Sequence, residues 1–275
     1  MNRLQALLKE KRKKQEKVLA AYVLAGDPDL AFTKELLPAL AEAGADILEV
    51  GIPHTDPVAD GPVIQAACER SLAAGTTPRG VLAMLKEVRG HIGAPIVVMS
   101  CVNPILKMGM EQGAVNLADA GADGVILSDV SLEESAPWRK AFRQAGVAWI
   151  PLAAPTTPPE RAVAIARSAT GFVYAISARG ITGVRNALPD DLESRVRQLK
   201  EASDRSVLVG FGISTPTQVR SVCAAADGAV VGSAIVKKIQ EAVETSGSRA
   251  EAVRSVAAFV RALAAGKDAG APAPQ

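Results

Sequence analysis

Aromatic and metal-binding side chains are scarce in this sequence. Phe, Trp and Tyr make up 3% of the 275 residues, and there are only two His and three Cys. So few rings leave no platform on which nucleic-acid bases could stack. The two histidines, His54 and His91, lie far apart, and no His/Cys cluster has the spacing of metal ligands. The composition therefore disfavours a nucleic-acid-binding protein and a metal-dependent enzyme.

Long apolar segments and paired cysteines are also absent. No apolar run approaches the roughly 18 residues that a membrane-spanning helix needs. The first residues are charged rather than apolar, so we expect no secretory signal. Cys68, Cys101 and Cys223 are odd in number and widely spaced, which is typical of free thiols in a reducing compartment. The sequence therefore predicts a cytoplasmic protein with no membrane span.

Positive charge is concentrated at the N-terminus. Residues 1–17 hold seven bases and two acids, so the rest of the chain carries about −3 of the overall +2. Leu4, Leu7 and Leu8 form an apolar stripe at helical spacing, which predicts a basic amphipathic helix over residues 2–14 packed on the body of the protein. An RNA-binding arm is the alternative, but a chain that is otherwise slightly acidic and poor in aromatic residues does not favour it.

Short apolar runs alternate with amphipathic segments along most of the chain. The runs predict eight strands, at residues 18–24, 46–50, 96–101, 124–127, 147–152, 171–176, 207–209 and 228–231. Uninterrupted apolar strands with helices between them form a parallel sheet that is buried on both faces. Eight such units in about 250 residues predict a (β/α)8 TIM barrel. A doubly wound open sheet is the alternative, although no G-x-G-x-x-G follows the first strand.

No linker rich in proline and serine divides the chain. We therefore predict a single TIM-barrel domain over residues 1–264, with an extra N-terminal helix and additional helices. Residues 265–275 are rich in Gly, Ala and Pro and are predicted to form a disordered tail.

Carboxylates are concentrated in residues 48–62, LEVGIPHTDPVADGP. Glu49 lies between two apolar residues of the second predicted strand and so points to the opposite face from both. Asp56 and Asp60 follow in a loop stiffened by prolines. A solvated Glu on a surface strand is the simpler interpretation of Glu49 alone. In a TIM barrel, however, the reactive groups stand at these carboxyl ends of strands.

Two glycine-rich turns follow the last two predicted strands. They read GFGIST at residues 210–215 and GSA at residues 232–234, and each precedes a helix. Glycine turns at helix N-termini let backbone N–H groups approach a phosphate, which makes a phosphorylated substrate more plausible than plain turns. The polar loop at residues 177–186 is either a lid or an ordinary mobile loop. With no lysine in the apolar strands, these features predict cofactor-free acid–base chemistry on a phosphorylated small molecule.

The residues at these positions resemble the tryptophan synthase alpha subunit family. LEVGIPHTDPVADGP is similar to the family signature, and the likeness extends over about residues 3–260. It includes AGDP at 25–28, NPI at 103–105, GITG at 180–183, GFGI at 210–213 and GSA at 232–234.

The resemblance implies a carbon–carbon lyase of tryptophan biosynthesis that cleaves indole-3-glycerol phosphate to indole and glyceraldehyde 3-phosphate by a retro-aldol reaction. It implies that Glu49 is the general acid–base and that Asp60 holds the indole N–H. The substrate-binding positions that it implies are Tyr22, Tyr174, Thr182, Gly183, Phe211, Gly212, Gly232 and Ser233.

The resemblance also implies an αββα heterotetramer with a beta subunit. Pyridoxal phosphate would belong to that partner, so no cofactor and no metal are expected in this chain. The residues implied to face the partner are Pro53, Asp56, Pro57 and Asn103.

The chain departs from the family pattern at three positions near the implied site. The family usually has Phe-Ser where this chain has His54 and Thr55, and Tyr where it has Cys101. These changes leave open an alternative, a stand-alone indole-3-glycerol phosphate lyase that supplies indole to another pathway. An inactive subunit that only binds the partner is less favoured, because both Glu49 and Asp60 are present.

Overall fold

The computed structural model describes residues 1–56, 60–177, 191–210 and 212–268. Within these ranges nine strands form one parallel sheet: β1 Val18–Leu24, β2 Ile47–Gly51, β3 Ile96–Ser100, β4 Gly124–Leu127, β5 Ala148–Trp149, β6 Leu152–Ala153, β7 Val173–Ile176, β8 Val207–Gly210 and β9 Gly228–Val231. The helices are α1 Arg3–Lys14, α2 Leu30–Glu42, α3 Pro62–Ala73, α4 Pro78–Val88, α5 Val102–Leu106, α6 Met110–Asp119, α7 Ser135–Gln144, α8 Pro159–Ser168, α9 Leu192–Ala202, α10 Pro216–Ala225, α11 Ser233–Thr245 and α12 Arg249–Asp268.

The sheet closes into a barrel. Its strand order is β5-β4-β3-β2-β1-β9-β8-β7-β6, and β5 and β6 are two pieces of one apolar run. That run is bonded on both sides, since the Ile150 amide donates to Val125 O at 3.0 Å and the Tyr174 amide donates to Pro151 O at 3.0 Å. The predicted TIM barrel is confirmed. The predicted fifth strand is divided because Pro151 has no N–H with which to continue the ladder.

The barrel interior and the layer under the helices are separate apolar clusters. Ile47, Val97, Ile126, Ile150 and Leu208 belong to the interior cluster, whereas alternate strand residues pack outward against the helices. Leu4 and Leu8 of α1 join the interior cluster. A Cβ at Gly124, the first residue of β4, would collide with Leu4, so the basic N-terminal helix covers the amino end of the barrel as its apolar stripe predicts.

The structure corrects the sequence predictions at two elements. Helix α5, which was not predicted, follows β3, and its first amide, that of Val102, donates to Asp129 Oδ1 at 2.7 Å. Helix α12 continues to Asp268, so the predicted tail is wrong for residues 265–268. Lys267 is buried there and donates to Gly44 O at 3.1 Å. The remaining tail, 269–275, lies outside the described residues. No helix among the described ranges has the length and apolar character that crossing a membrane requires.

Candidate active site

A narrow cavity opens at the carboxyl ends of the strands. Seven of the residues singled out from the sequence line it: Tyr22, Glu49, Asp60, Tyr174, Gly212, Gly232 and Ser233. Its volume is about 50 Å³. Two larger cavities, of about 540 and 530 Å³, adjoin residues of α1 at the other end of the barrel, but neither contains Glu49 or Asp60. The carboxyl-end cavity is therefore the candidate active site.

The sequence reasoning missed three residues of this cavity, Gly61, Ile64 and Met99. Met99 follows Val97 by two residues on β3, and Val97 faces the barrel interior. The same two-residue alternation that places Glu49 inward could have identified Met99. Ile64 lies in the first turn of α3 and lines the cavity only because that helix packs against it.

Glu49 is a buried carboxyl inside the barrel. It stands in register with Tyr22 on β1 and with Val97 on β3, and it is 1% exposed. Its Oε2 has no hydrogen-bond partner among the described residues. Burial disfavours the ionised form and raises the pKa of Glu49 to about 8. At neutral pH this carboxyl mostly carries its proton and can act as an acid.

Asp60 brings a second carboxyl into the cavity from the turn before α3. Its backbone carbonyl accepts a hydrogen bond from Gln65 Nε2 at 2.8 Å, which ties the turn to the helix. Burial raises the pKa of Asp60, and the positive charge of His54 acts in the opposite direction. Glu49, by contrast, has no such charge offsetting its burial. Two carboxyls in different environments can differ in protonation, so that one donates a proton while the other remains an ionised carboxylate.

Two tyrosines frame these carboxyls, and strand-end glycines make room for their rings. A Cβ at Gly51 would overlap the hydroxyl of Tyr22, and one at Gly210 would overlap the hydroxyl of Tyr174. Burial raises the pKa of both phenols well above their ordinary value. Each ring therefore offers a neutral hydroxyl and an apolar face to a bound molecule.

The two glycine-rich turns differ in what they can bind. Helix α11 begins directly after β9, and no side chain caps it. The amides of Ile235 and Val236 donate to Gly232 O, whereas the amides of Ser233 and Ala234 in the first turn have no acceptor among the described residues. An uncapped helix N-terminus of this kind is a favourable place for an anion.

Helix α10, by contrast, caps itself. Thr215 Oγ1 accepts from the Gln218 amide at 3.2 Å, and Gln218 Oε1 accepts from the amides of Ser214 at 2.8 Å and Thr215 at 3.2 Å. This turn therefore contributes not a helix N-terminus but Gly212, whose φ of +77° suits a glycine.

The other strand-end carboxylates serve elsewhere. Asp27 is buried, and both its oxygens accept from Arg70, from Nε and from Nη2, each at 2.8 Å. Asp129 caps α5, and Asp56 is exposed. The described residues contain no group of three or more His, Cys, Asp or Glu side chains placed to hold a metal ion.

The remaining predicted positions divide into three groups. Thr182, Gly183, Phe211 and Pro57 lie outside the described residues. Asn103 is exposed like Asp56, whereas Pro53 is buried within the chain. Leu106, three residues after Asn103 on α5, is an exposed large apolar side chain, with 53% of its surface accessible.

Comparisons with known proteins place the chain among close relatives. The model of the family described as tryptophan synthase alpha chain matches residues 8–266. The chain is 46% identical over 263 residues to a tryptophan synthase alpha chain of Geobacter sulfurreducens, covering 96% of this chain and 98% of that one. The alpha chain of Arabidopsis thaliana is 44% identical over 231 residues, covering 83% and 84%.

Solved structures give the same result. Tryptophan synthase subunit alpha from Legionella pneumophila str. Paris is similar with a TM-score of 0.88 and 35% identity, covering 98% of this chain and 99% of that one. A chain of the aminoacrylate-bound tryptophan synthase from M. tuberculosis has a TM-score of 0.85 and 32% identity, covering 97% and 100%.

Proposed function

We propose, from the premise that the chain belongs to the tryptophan synthase alpha chain family, that it cleaves indole-3-glycerol phosphate to indole and glyceraldehyde 3-phosphate in the cavity around Glu49. Membership of the family makes the chain a lyase and gives it the alpha subunit role in tryptophan biosynthesis. The observation that carries the proposed chemistry is the buried Glu49 carboxyl, whose pKa is about 8, in one cavity with Asp60 and the uncapped start of α11.

The phosphate of the substrate binds at the first turn of α11. The open amides of Ser233 and Ala234 donate to its oxygens, the helix dipole favours its charge, and Gly212 and Gly232 allow close approach. From the family resemblance, Gly183 and Phe211 complete this end. The same resemblance implies that Thr182 belongs to a lid that closes near Asp60 and excludes water.

The indole ring lies at the other end of the cavity, between Tyr22, Tyr174 and Met99. Asp60 accepts a hydrogen bond from the ring N–H. The carboxylate of Asp60 is then positioned to stabilise positive charge on the ring, an effect that is strongest in a site from which water is excluded.

Glu49 moves the protons of the reaction. Its carboxyl first gives a proton to indole C3, which makes the ring cationic. The resulting carboxylate then takes the proton of the side-chain hydroxyl next to the scissile bond, and the C–C bond breaks as its electrons return to the ring. Indole and the aldehyde leave, and Glu49 is again protonated. A group with a pKa near neutrality is suited to serve in both directions.

The partner is proposed to be a tryptophan synthase beta subunit, and pyridoxal phosphate is proposed to belong to that subunit and not to this chain. Asp56, Asn103 and the exposed Leu106 form the surface that we assign to it. We place the complex in the cytoplasm. Nothing in the described structure or in the relatives favours the stand-alone lyase.

Indole release from indole-3-glycerol phosphate, measured with and without a beta subunit, tests the proposal. We expect Glu49→Gln to lower kcat by about a hundredfold or more, because a positioned general acid–base contributes roughly 10²–10⁴-fold. Asp60→Asn should also lower kcat, since an amide cannot balance the ring cation. Glu69→Gln, an exposed position on α3, is the matched control and should keep the parent rate. Near-parent activity of Glu49→Gln would show that the assigned mechanism is wrong.

A further inference from the structure

A further cavity lies beside the barrel wall, between the strands β4 to β6 and the helices α7 and α8. Its volume is about 260 Å³, and it shares no described lining residue with the cavity around Glu49. Apolar side chains form much of its wall, among them Leu127, Val130, Trp149 and Ile165. A concave site that combines apolar side chains with polar groups is suited to binding a small molecule.

Trp149 supplies a buried hydrogen-bond donor that the chain does not use. Ile150 faces the barrel interior, so Trp149 points outward toward the helices, where its ring packs against Phe142 with centroids 6.3 Å apart. The side chain is 3% exposed, and its Nε1–H has no acceptor among the described residues. A buried donor without an acceptor is costly, and a ligand that brings an acceptor to it would regain that cost.

Two serines supply acceptors on the wall of the same cavity. Ser135 Oγ donates to Leu132 O at 2.6 Å, and Ser168 Oγ donates to Ile165 O at 2.7 Å. Both hydroxyls are buried and line the cavity, and each oxygen still has lone pairs after its proton is used. One unused donor and two available acceptors match a hydroxyl group, which both accepts and donates.

Arg161 supplies a cation on the same cavity. It lies on α8 and forms a two-bond ion pair with Glu133 of the β4–α7 loop, with Nη2 donating to Oε2 at 2.7 Å. Both side chains are exposed, at 41% and 61%. Exposed ion pairs contribute little to stability, so a ligand carboxylate can replace Glu133 on the guanidinium.

We propose that this cavity binds a small aromatic hydroxy acid. The ring contacts the apolar wall, the hydroxyl accepts from Trp149 Nε1 and donates to a serine Oγ, and the carboxylate pairs with Arg161. The site is separate from the lyase chemistry, and its existence does not depend on the proposed function.

Titration of the full chain with 3-(4-hydroxyphenyl)propionate tests the proposal by NMR. The chain has two tryptophans, so the ¹H–¹⁵N spectrum holds two indole signals, which Trp149→Phe assigns. We expect the Trp149 signal to shift saturably. The Trp138 signal, separated from it by Phe142, should move less. The matched probe 3-phenylpropionate, which lacks the hydroxyl, should bind about tenfold more weakly.

Variants separate the two polar contacts. Arg161→Gln should weaken both probes about tenfold, since it removes a charge-assisted pair. Glu133→Gln should strengthen both, because it frees the guanidinium. Trp149→Phe should make the two probes bind equally, as measured by calorimetry.

A Trp149 signal that stays in place would overturn the proposal. So would a shift that survives Arg161→Gln but is lost in Asp60→Asn, because the probe would then occupy the cavity around Glu49. If Trp149→Phe does not fold, the opposite effects expected of Arg161→Gln and Glu133→Gln still decide the matter. Loss or retention of indole release in Glu49→Gln has no bearing on any of these outcomes.

Discussion

Glu49 is an ionisable side chain that the barrel keeps away from water and without a partner for Oε2 among the described residues. Its environment therefore favours the neutral acid, and the protein loses stability whenever that acid must ionise. The proposed reaction uses this property, because an acid held protonated near neutral pH can protonate a carbon atom. The same burial makes the stability of the fold depend on whether Glu49 is protonated.

We predict that Glu49→Gln changes how stability depends on pH. The pKa of Glu49 is about 8 in the folded state and 4.5 in its ordinary state, so between these values the folded state binds the extra proton. Stability of the parent should therefore fall, relative to the Gln variant, as pH rises from about 4.5 to about 8, by on the order of a few kcal/mol. Urea unfolding of both chains across this range measures the difference.

The exposed Glu69→Gln serves as the control, and its stability should run parallel to that of the parent. A constant gap between the parent and Glu49→Gln over the whole range would contradict the raised pKa.

His54 is the departure from the family pattern that acts on the site itself. Its positive charge lowers the pKa of Asp60 against the effect of burial. We predict that His54→Phe raises the pKa of Asp60 and moves the acid limb of the kcat/KM profile to higher pH, because the ionised carboxylate is the working form. Thr55→Val, an uncharged change at the exposed neighbour, should leave the limb in place. A limb that stays fixed or moves to lower pH in His54→Phe would refute this role.

Helix α3 holds the turn that carries Asp60. The Arg70 side chain, on α3, donates two hydrogen bonds of 2.8 Å to the buried Asp27 in the turn after β1. Arg70 Nη1 also approaches Gln240 Oε1 of α11 at 3.4 Å. One guanidinium thus ties α3, the helix that follows Asp60, to α11, the uncapped helix that begins at the cavity.

We predict that Arg70→Leu lowers the free energy of unfolding by about 3–5 kcal/mol, because it leaves the Asp27 carboxylate buried and unpaired. The double change Asp27→Asn with Arg70→Leu should recover part of this loss, since no uncompensated charge remains. Arg79→Leu, an exposed arginine of α4, is the control for the loss of a surface cation. Urea unfolding measures all three. A double variant no more stable than Arg70→Leu would argue against the pairing as the cause.

Asp46 joins helices from the two ends of the described chain. Lys11 of α1 pairs with Asp46 Oδ1 at 3.1 Å, the buried Lys267 of α12 pairs with Oδ2, and the Leu19 amide of β1 donates to Oδ2 at 2.8 Å. This cluster lies at the amino end of the barrel, away from the catalytic cavity. It therefore acts on the stability of the barrel and not on its chemistry.

We predict that Lys267→Met destabilises the chain by about 1–3 kcal/mol while kcat stays near the parent value. Asp46 keeps Lys11 and the Leu19 amide, so the loss is that of one charged hydrogen bond and not of the whole cluster. Thermal unfolding and indole release measure the two quantities, and the exposed Lys140→Met is the control. A loss of activity without a loss of stability would contradict this assignment.

Periodicity along the chain was sufficient to predict the barrel, the inward direction of Glu49 and the two glycine-rich turns. Each of these depends on the spacing of neighbouring residues, which local sequence encodes directly. The amphipathic stripe of α1 was likewise enough to predict that the helix packs against the barrel.

Contacts between residues that are distant in the sequence determined the partners of the acidic side chains and the capping and length of the helices. Only the fold gives Asp27 to Arg70 and Asp129 to α5, and only the fold places Asp60 in one cavity with Glu49. Only the fold shows that α10 caps itself while α11 has no side-chain cap. Only the fold shows that α12 continues to Asp268 and that Lys267 pairs with Asp46. A side chain's charge state and partners depend on what surrounds it in space, and those neighbours come from parts of the chain that local patterns do not connect.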